Sequence, residues 1–295
     1  MDRWLYRIVD VFTDRPLAGN QLAVFENAAV IPESLLQPLA QEIGYSETVF
    51  AYPGTDGADA RIRIFTPTSE VPFAGHPVLG TAVVLATDPG SDRIVLDTGR
   101  GQIPVRIDHK SDPATRGAME QPIPTFELYD KSEDFLRALD VVRSVLPVTM
   151  YDNGLQHIYA MLESPDDVAA LRPDFSALME LARSSGMPLV GFNVFSGSGL
   201  VWKTRMFAPA DDIAEDPATG SAAGPLALHL ARHGRIPWDT EIRISQGVEI
   251  DRPSELFARV SGATDQVTRI EVSGYAVPVG GGWFDGELLR TTATP

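Results

Sequence analysis

One order of features occurs twice in this chain. Arg63-Ile64-Phe65-Thr66-Pro67 runs through an acidic stretch into Phe73-Ala74-Gly75-His76-Pro77-Val78-Leu79-Gly80-Thr81-Ala82. Roughly half the chain later, Arg205-Met206-Phe207-Ala208-Pro209 runs through another into Asp216-Pro217-Ala218-Thr219-Gly220-Ser221-Ala222-Ala223-Gly224-Pro225. Each copy reads as a strand, a short loop, a glycine beside a polar side chain and then an apolar helix. A repeat at this period predicts two similar halves. If the halves face each other, two glycine-rich helix N-termini converge on one cleft, an arrangement suited to a small anion.

The length, 295 residues, is enough for two domains that each bury a core. A formal charge of -16 argues against nucleic acid and anionic membrane as partners, because no basic patch is long enough to displace phosphate counterions. An anionic substrate must then be held locally, by backbone N–H groups and a few side chains. No apolar run has the length of a membrane-spanning helix. The segment Met1-Asp2-Arg3-Trp4-Leu5-Tyr6-Arg7 alternates like a strand and lacks the apolar core of a signal peptide, so the expected location is the cytoplasm. The absence of cysteine from the sequence excludes disulfides, thiolate metal sites and thiol nucleophiles together. The five histidines are His76, His109, His157, His229 and His233, and none belongs to the His-Glu-x-x-His motif of a zinc protease. His229 and His233 lie four apart on one predicted helix, and with no third ligand nearby they are expected on a solvated face. No metal and no cofactor are expected.

The pattern from Tyr6 to Phe25 predicts two strands around a turn at residues 14–20. Residues 32–43 have helical period and Gly44 closes that helix. Strands are predicted at 46–51 and 61–67, a helix at 76–87, and an antiparallel pair at 94–98 and 103–107. Two prolines within Gln121-Pro122-Ile123-Pro124-Thr125 predict an extended linker. The halves are then residues 1–122 and 123–295, with the last strand free to return to the first half. The second half repeats the pattern, with helices near 132–140 and 174–185 and strands near 147–162 and 188–196. Mixed sheets, each enclosing one helix, make an α+β fold.

Three places stand out as candidates for chemistry. Glu47, flanked by Ser46 and Thr48 at a strand start, is either a half-buried acid or base or an ordinary surface glutamate. His76 falls at a helix start, where the dipole favours a neutral ring, and is either a site residue or a cap. Asp216 through Ser221 gathers a carboxylate, two hydroxyls and several N–H donors ahead of a helix, and its plainer reading is a well-capped helix. The run lacks the lysine of a phosphate-binding loop and the spacing of a dinucleotide motif, which disfavours nucleotides.

At Asp14-Arg15-Pro16-Leu17-Ala18-Gly19-Asn20, Ser46-Glu47-Thr48, Phe73-Ala74-Gly75-His76-Pro77, Met119-Glu120-Gln121-Pro122-Ile123-Pro124 and Glu215-Asp216-Pro217-Ala218-Thr219-Gly220-Ser221, the chain resembles the PhzF family of phenazine-biosynthesis isomerases. That family has the diaminopimelate epimerase fold. The resemblance implies a cofactor-free homodimer acting on a small carboxylate, trans-2,3-dihydro-3-hydroxyanthranilate in the phenazine enzymes. Glu47 matches the glutamate that moves the proton, and His76, Asp216 and Ser221 match its partners. Gly75, Thr219 and Gly220 fall where substrate is bound. Epimerases of this fold use two thiols on opposite faces, and a chain without cysteine suits a one-base proton shift instead. Two other expectations stand beside this one. The first is isomerisation of a conjugated diene carboxylate on the way to an alkylproline antibiotic unit. The second is a non-catalytic protein that binds small acids.

Overall fold

The computed structural model describes residues 2–86, 92–108, 114–186 and 190–292, so His109 lies outside the described residues. The chain divides into two compact units, residues 1–119 with 274–295, and residues 120–273.

In the first unit, β1 (Arg3–Val11) and β2 (Asn20–Phe25) form an antiparallel pair with Arg7 opposite Val24. The Leu17 N–H closes their turn by donating to Asp10 Oδ2 at 2.7 Å. Gly19 has φ +70°, and a Cβ there would lie 2.4 Å from the Val11 carbonyl oxygen, so only glycine fits. Helix α1 (Leu36–Ile43) ends at Gly44, which takes the left-handed conformation and bonds back to Ala40. Because this helix crosses over, β3 (Glu47–Pro53) runs parallel to β2. β3 pairs antiparallel with β4 (Ala60–Phe65), which also carries the short antiparallel β5 (Glu70–Val71). After α2 (Gly75–Leu85), the chain returns as β6 (Arg93–Thr98), parallel to β4, and continues antiparallel through β7 (Gly101–Asp108) and β8 (Thr115–Gln121). Residues 75–84 of α2 are all buried. A helix with no polar face belongs inside, and α2 packs on β1, β2, β3, β6 and β7.

The second unit begins with β9 (Thr125–Leu128), α3 (Ser132–Ala138), β10 (Thr149–Asp152) and β11 (Gln156–Met161). Helices α4 (Pro165–Ala170) and α5 (Phe175–Ser185) cross over to β12 (Val190–Ser198), parallel to β11. β12 pairs antiparallel with β13 (Val201–Ala208), which carries the short β14 (Ile213–Asp216). α6 (Gly220–Arg232) then leads to β15 (Glu241–Gln246), parallel to β13, and to β16 (Ser254–Ala263). The long β17 (Gln266–Asp285) pairs with β16 up to Ser273 and with β1 from Ala276, before α7 (Gly286–Thr292). The order β2, β3, β4, β5, α2, β6 is thus repeated, with the same parallel and antiparallel pairings, by β11, β12, β13, β14, α6, β15.

The acidic stretch in each copy has a structural cause. Arg63 grips Glu70 with two bonds, from Nε at 2.8 Å and Nη2 at 2.7 Å. Arg205 grips Glu215 in the same way, at 2.9 and 2.7 Å. The planar guanidinium fork explains why arginine stands at both positions. Arg205 is buried and also donates from Nη1 to the Leu171 carbonyl at 3.0 Å, tying the crossover to the sheet. Arg205→Ala is expected to cost about 3–5 kcal/mol, because it strands a buried carboxylate. Arg63→Ala should cost much less, since Glu70 and Glu33 have side chains that are 42% and 76% exposed. Urea unfolding midpoints of the two variants check this order.

One expectation needs correction. His229 is not on a solvated face. It is completely buried, with Nδ1 3.2 Å from the Tyr151 hydroxyl, because residues 220–231 of α6 are enclosed on every side. The segment around Pro122 and Pro124 is a three-residue connection, since β8 reaches Gln121 and β9 starts at Thr125. Helices α4 and α7 were not foreseen, as both are too short to show a period.

Candidate active site

The first unit gathers Glu47, His76, Asn20 and Ser46. Glu47 opens β3, and its side chain is only 9% exposed, so the surface-glutamate alternative falls. His76 is the second residue of α2, and its Nε2 lies 3.5 Å from Glu47 Oε2. The other ring nitrogen, Nδ1, lies 3.3 Å from Asn20 Nδ2. Ser46 Oγ donates to Asn20 Oδ1 at 3.1 Å, which sets the Asn20 amide with its NH2 group toward the imidazole. Nε2 is the ring nitrogen on the side of Glu47. Burial pushes the His76 pKa down to about 3, a backbone hydrogen bond with Gln21 offsetting part of the effect. His76 is therefore a neutral ring beside the carboxylate rather than its counter-ion. Ala74, the N-cap of α2, offers no side-chain cap, so the helix start at Gly75 presents its N–H groups uncapped by side chains.

The second unit gathers Asp216, Thr219, Gly220 and Ser221. Asp216 is the last residue of β14, and its Oδ2 accepts from Thr219 Oγ1 at 2.5 Å. Gln246 stitches the turn together. Its Nε2 donates to the Asp216 carbonyl at 2.8 Å and to Thr219 Oγ1 at 2.9 Å, while its Oε1 accepts from the Thr219 N–H at 3.2 Å. The Thr219 hydroxyl hydrogen is thus engaged by Asp216, and the threonine serves to hold the carboxylate in place. Thr219 is the N-cap of α6 but makes no side-chain cap to it, as at Ala74 in the other copy.

Ser221 occupies the second position of α6, as His76 does in α2. Its Oγ lies 3.1 Å from His157 Nε2. Its carbonyl would ordinarily bond the N–H four residues on, but that residue is Pro225, which has none. Asn153 Nδ2 supplies the missing donor at 2.8 Å, and Gln121 Nε2 donates to the Gly220 carbonyl at 2.7 Å. Gln121, Asn153, His157 and Gln246 were missed from the sequence. Only one signal pointed to any of them: a proline four residues after Ser221 requires some other donor for its carbonyl.

The sequence profile of the PhzC-PhzF family, described as phenazine biosynthesis-like protein, matches residues 9–282. The chain is 44% identical over 277 residues to trans-2,3-dihydro-3-hydroxyanthranilate isomerase of Pseudomonas fluorescens, covering 94% of this chain and 98% of that protein. In structure it is similar to the PhzF-family phenazine biosynthesis protein of Bacillus anthracis, with a TM-score of 0.84 at 22% identity over 97% of this chain and all of that one. It also shares its fold with a hydroxyproline epimerase of Agrobacterium vitis, with a TM-score of 0.59 at 12% identity over 96% of this chain and 92% of that one. The α+β, diaminopimelate epimerase-like fold, its repeated units and a profile match spanning nearly the whole length together place this chain in the PhzC-PhzF family.

Proposed function

We propose that this protein is an isomerase that converts trans-2,3-dihydro-3-hydroxyanthranilate by a cofactor-free proton shift in phenazine biosynthesis. The observation that carries the reading is a buried carboxylate, Glu47, set against a neutral imidazole in a chain without cysteine. The 44% identity to the Pseudomonas fluorescens isomerase supports the choice of substrate.

The chemistry follows from the substrate's own connectivity. Carbon 3 carries both a hydrogen and a hydroxyl, and it is conjugated through two double bonds to carbon 1, which bears the carboxylate. Glu47 takes the proton from carbon 3, leaving an electron pair that delocalises along the ring. The same carboxylic acid returns the proton at carbon 1. Both double bonds have then moved by one position, and carbon 3 is left as an enol that relaxes to a ketone. No atom is gained or lost. One group that accepts and then donates a proton performs both steps, whereas inversion of a centre would need a second acid on the opposite face. His76 sets its neutral ring beside this carboxylate, with Nε2 3.5 Å from Oε2. Within the second unit, the Ser221 hydroxyl and the backbone N–H groups of Gly220 and Ser221 are donors of the kind that suits a carboxylate, and Asp216 is held by Thr219 and Gln246.

Substrate deuterated at carbon 3 tests this. The label is expected to leave carbon 3 completely and to appear at carbon 1, diluted by exchange with solvent while it resides on Glu47. Product that retains the deuterium at carbon 3, or failure of the compound to react, would overturn the reading.

A further inference from the structure

The registers of the two copies can be compared position by position. In the first unit Glu47 lies opposite Leu22, one residue before Thr48, which faces Phe65. In the second, Gly191 lies opposite His157, one residue before Phe192, which faces Phe207. Phe65 and Phe207 are the same residue of the repeated motif. The position of Glu47 is therefore glycine in the second unit, and the position of Leu22 is histidine. A Cβ on Gly191 would lie 2.7 Å from His157 Nδ1, so the imidazole fills the space that a side chain at 191 would need. The second unit has exchanged a carboxylate on one strand for an imidazole on its neighbour.

The proton on this imidazole can be placed. Asn193 Nδ2 donates to the Gly191 carbonyl at 3.0 Å and approaches the Ile158 carbonyl at 3.4 Å, which turns its NH2 group to that side. The same NH2 lies 3.4 Å from His157 Nδ1. An N–H at Nδ1 would point at another N–H, so Nδ1 is unprotonated and the neutral ring carries its hydrogen on Nε2. Nε2 faces Ser221 Oγ at 3.1 Å. The imidazole thus donates to the serine. In a nucleophilic serine dyad the bond runs the other way, with an acceptor beside Nδ1 holding a proton there so that Nε2 can receive one. Here an amide donor stands at that place and the polarity is reversed. Complete burial, which pushes the His157 pKa down to about 3, also keeps it from taking up a proton.

We propose that His157 is a positioning residue for the isomerisation: by donating from Nε2 to Ser221 Oγ it makes the serine an acceptor on its inner side and directs the hydroxyl hydrogen to the carboxylate of the bound substrate. The role of Ser221 toward substrate rests on the function proposed above. The geometry of the dyad does not.

The test has two arms, so the two claims can fail separately. Nitrogen NMR of ligand-free, imidazole-labelled protein reads the tautomer without any substrate, and His157 is expected to carry its proton on Nε2. A proton on Nδ1 would overturn the proposal. The kinetic arm uses wild-type turnover of trans-2,3-dihydro-3-hydroxyanthranilate as the check on the substrate. Against it, His157→Leu, which installs the residue of the first unit, is expected to raise KM about tenfold with kcat changed less, the usual worth of one hydrogen bond. His157→Gln, which keeps a donor, should recover most of the loss even if the leucine variant folds poorly. In a Ser221→Ala background, His157→Gln and wild-type His157 should behave alike. An unaltered KM in His157→Leu, a glutamine variant as impaired as the leucine one, or losses at 157 and 221 that multiply in full would each sink the proposal.

Discussion

Glu47→Gln is expected to lower kcat by about three to four powers of ten, at the upper reach of what one acid–base group contributes. The change preserves volume, so the buried corner formed with His76, Asn20 and Ser46 stays filled, and the Asn20 contacts to His76 and Ser46 are untouched. An amide cannot accept a proton from carbon and return it, and no cysteine exists elsewhere in the chain to replace it. The absorbance of the conjugated diene, followed under saturating substrate, measures the loss. The melting temperature should stay within about 2–4 °C of the parent, the equivalent of 1 kcal/mol in a domain of this size. Turnover within tenfold of the parent in a folded variant would remove Glu47 from the chemistry.

The second large effect concerns stability in acid. His76, His157 and His229 are all buried, and burial holds each imidazole at a pKa of about 3. In the unfolded chain each binds a proton at about 6.5. Between those values the unfolded state holds more protons, so stability is fully present above pH 6.5 and is lost as pH falls toward 3. Each histidine contributes a slope of up to about 1.4 kcal/mol per pH unit, and three together give about 4. A domain stability of about 5–15 kcal/mol would then be exhausted within roughly one to four units below pH 6.5. Urea unfolding at pH 7.5, 6.0 and 5.0 should show the steep decline, and His229→Phe should flatten it by about a third. A stability that is level from pH 7 to 5 would contradict the neutral buried rings.

Much of the architecture was legible because the chain states it twice. The arginine–phenylalanine–proline strand, the acidic stretch and the glycine-led helix recur in order, and the two sets of strands repeat each other's pairings in the structure. Glu47 and His76 were legible as candidates because each stands at the end of an element, where a polar side chain calls for an explanation. His157, Asn153 and Gln246 were not. Each lies in an ordinary-looking strand or turn, and its partner is 64, 68 or 27 residues away, a distance at which no local pattern survives. His229 was misplaced for a related reason. A histidine four residues from another on a helix resembles a solvated face, and only the enclosure of α6 on all sides removes that face.

The crowding between Gly191 and His157 also limits how the protein can change. One strand position and its neighbour share a fixed volume, filled by leucine and glutamate in the first unit and by histidine and glycine in the second. Adding even a methyl group at 191 meets the ring at 2.7 Å, and His157 cannot give way without leaving Ser221. The two positions therefore form an epistatic pair. The second unit cannot acquire a glutamate at the position equivalent to Glu47 by a single substitution, and this strand geometry closes the shortest mutational route to a second copy of that base.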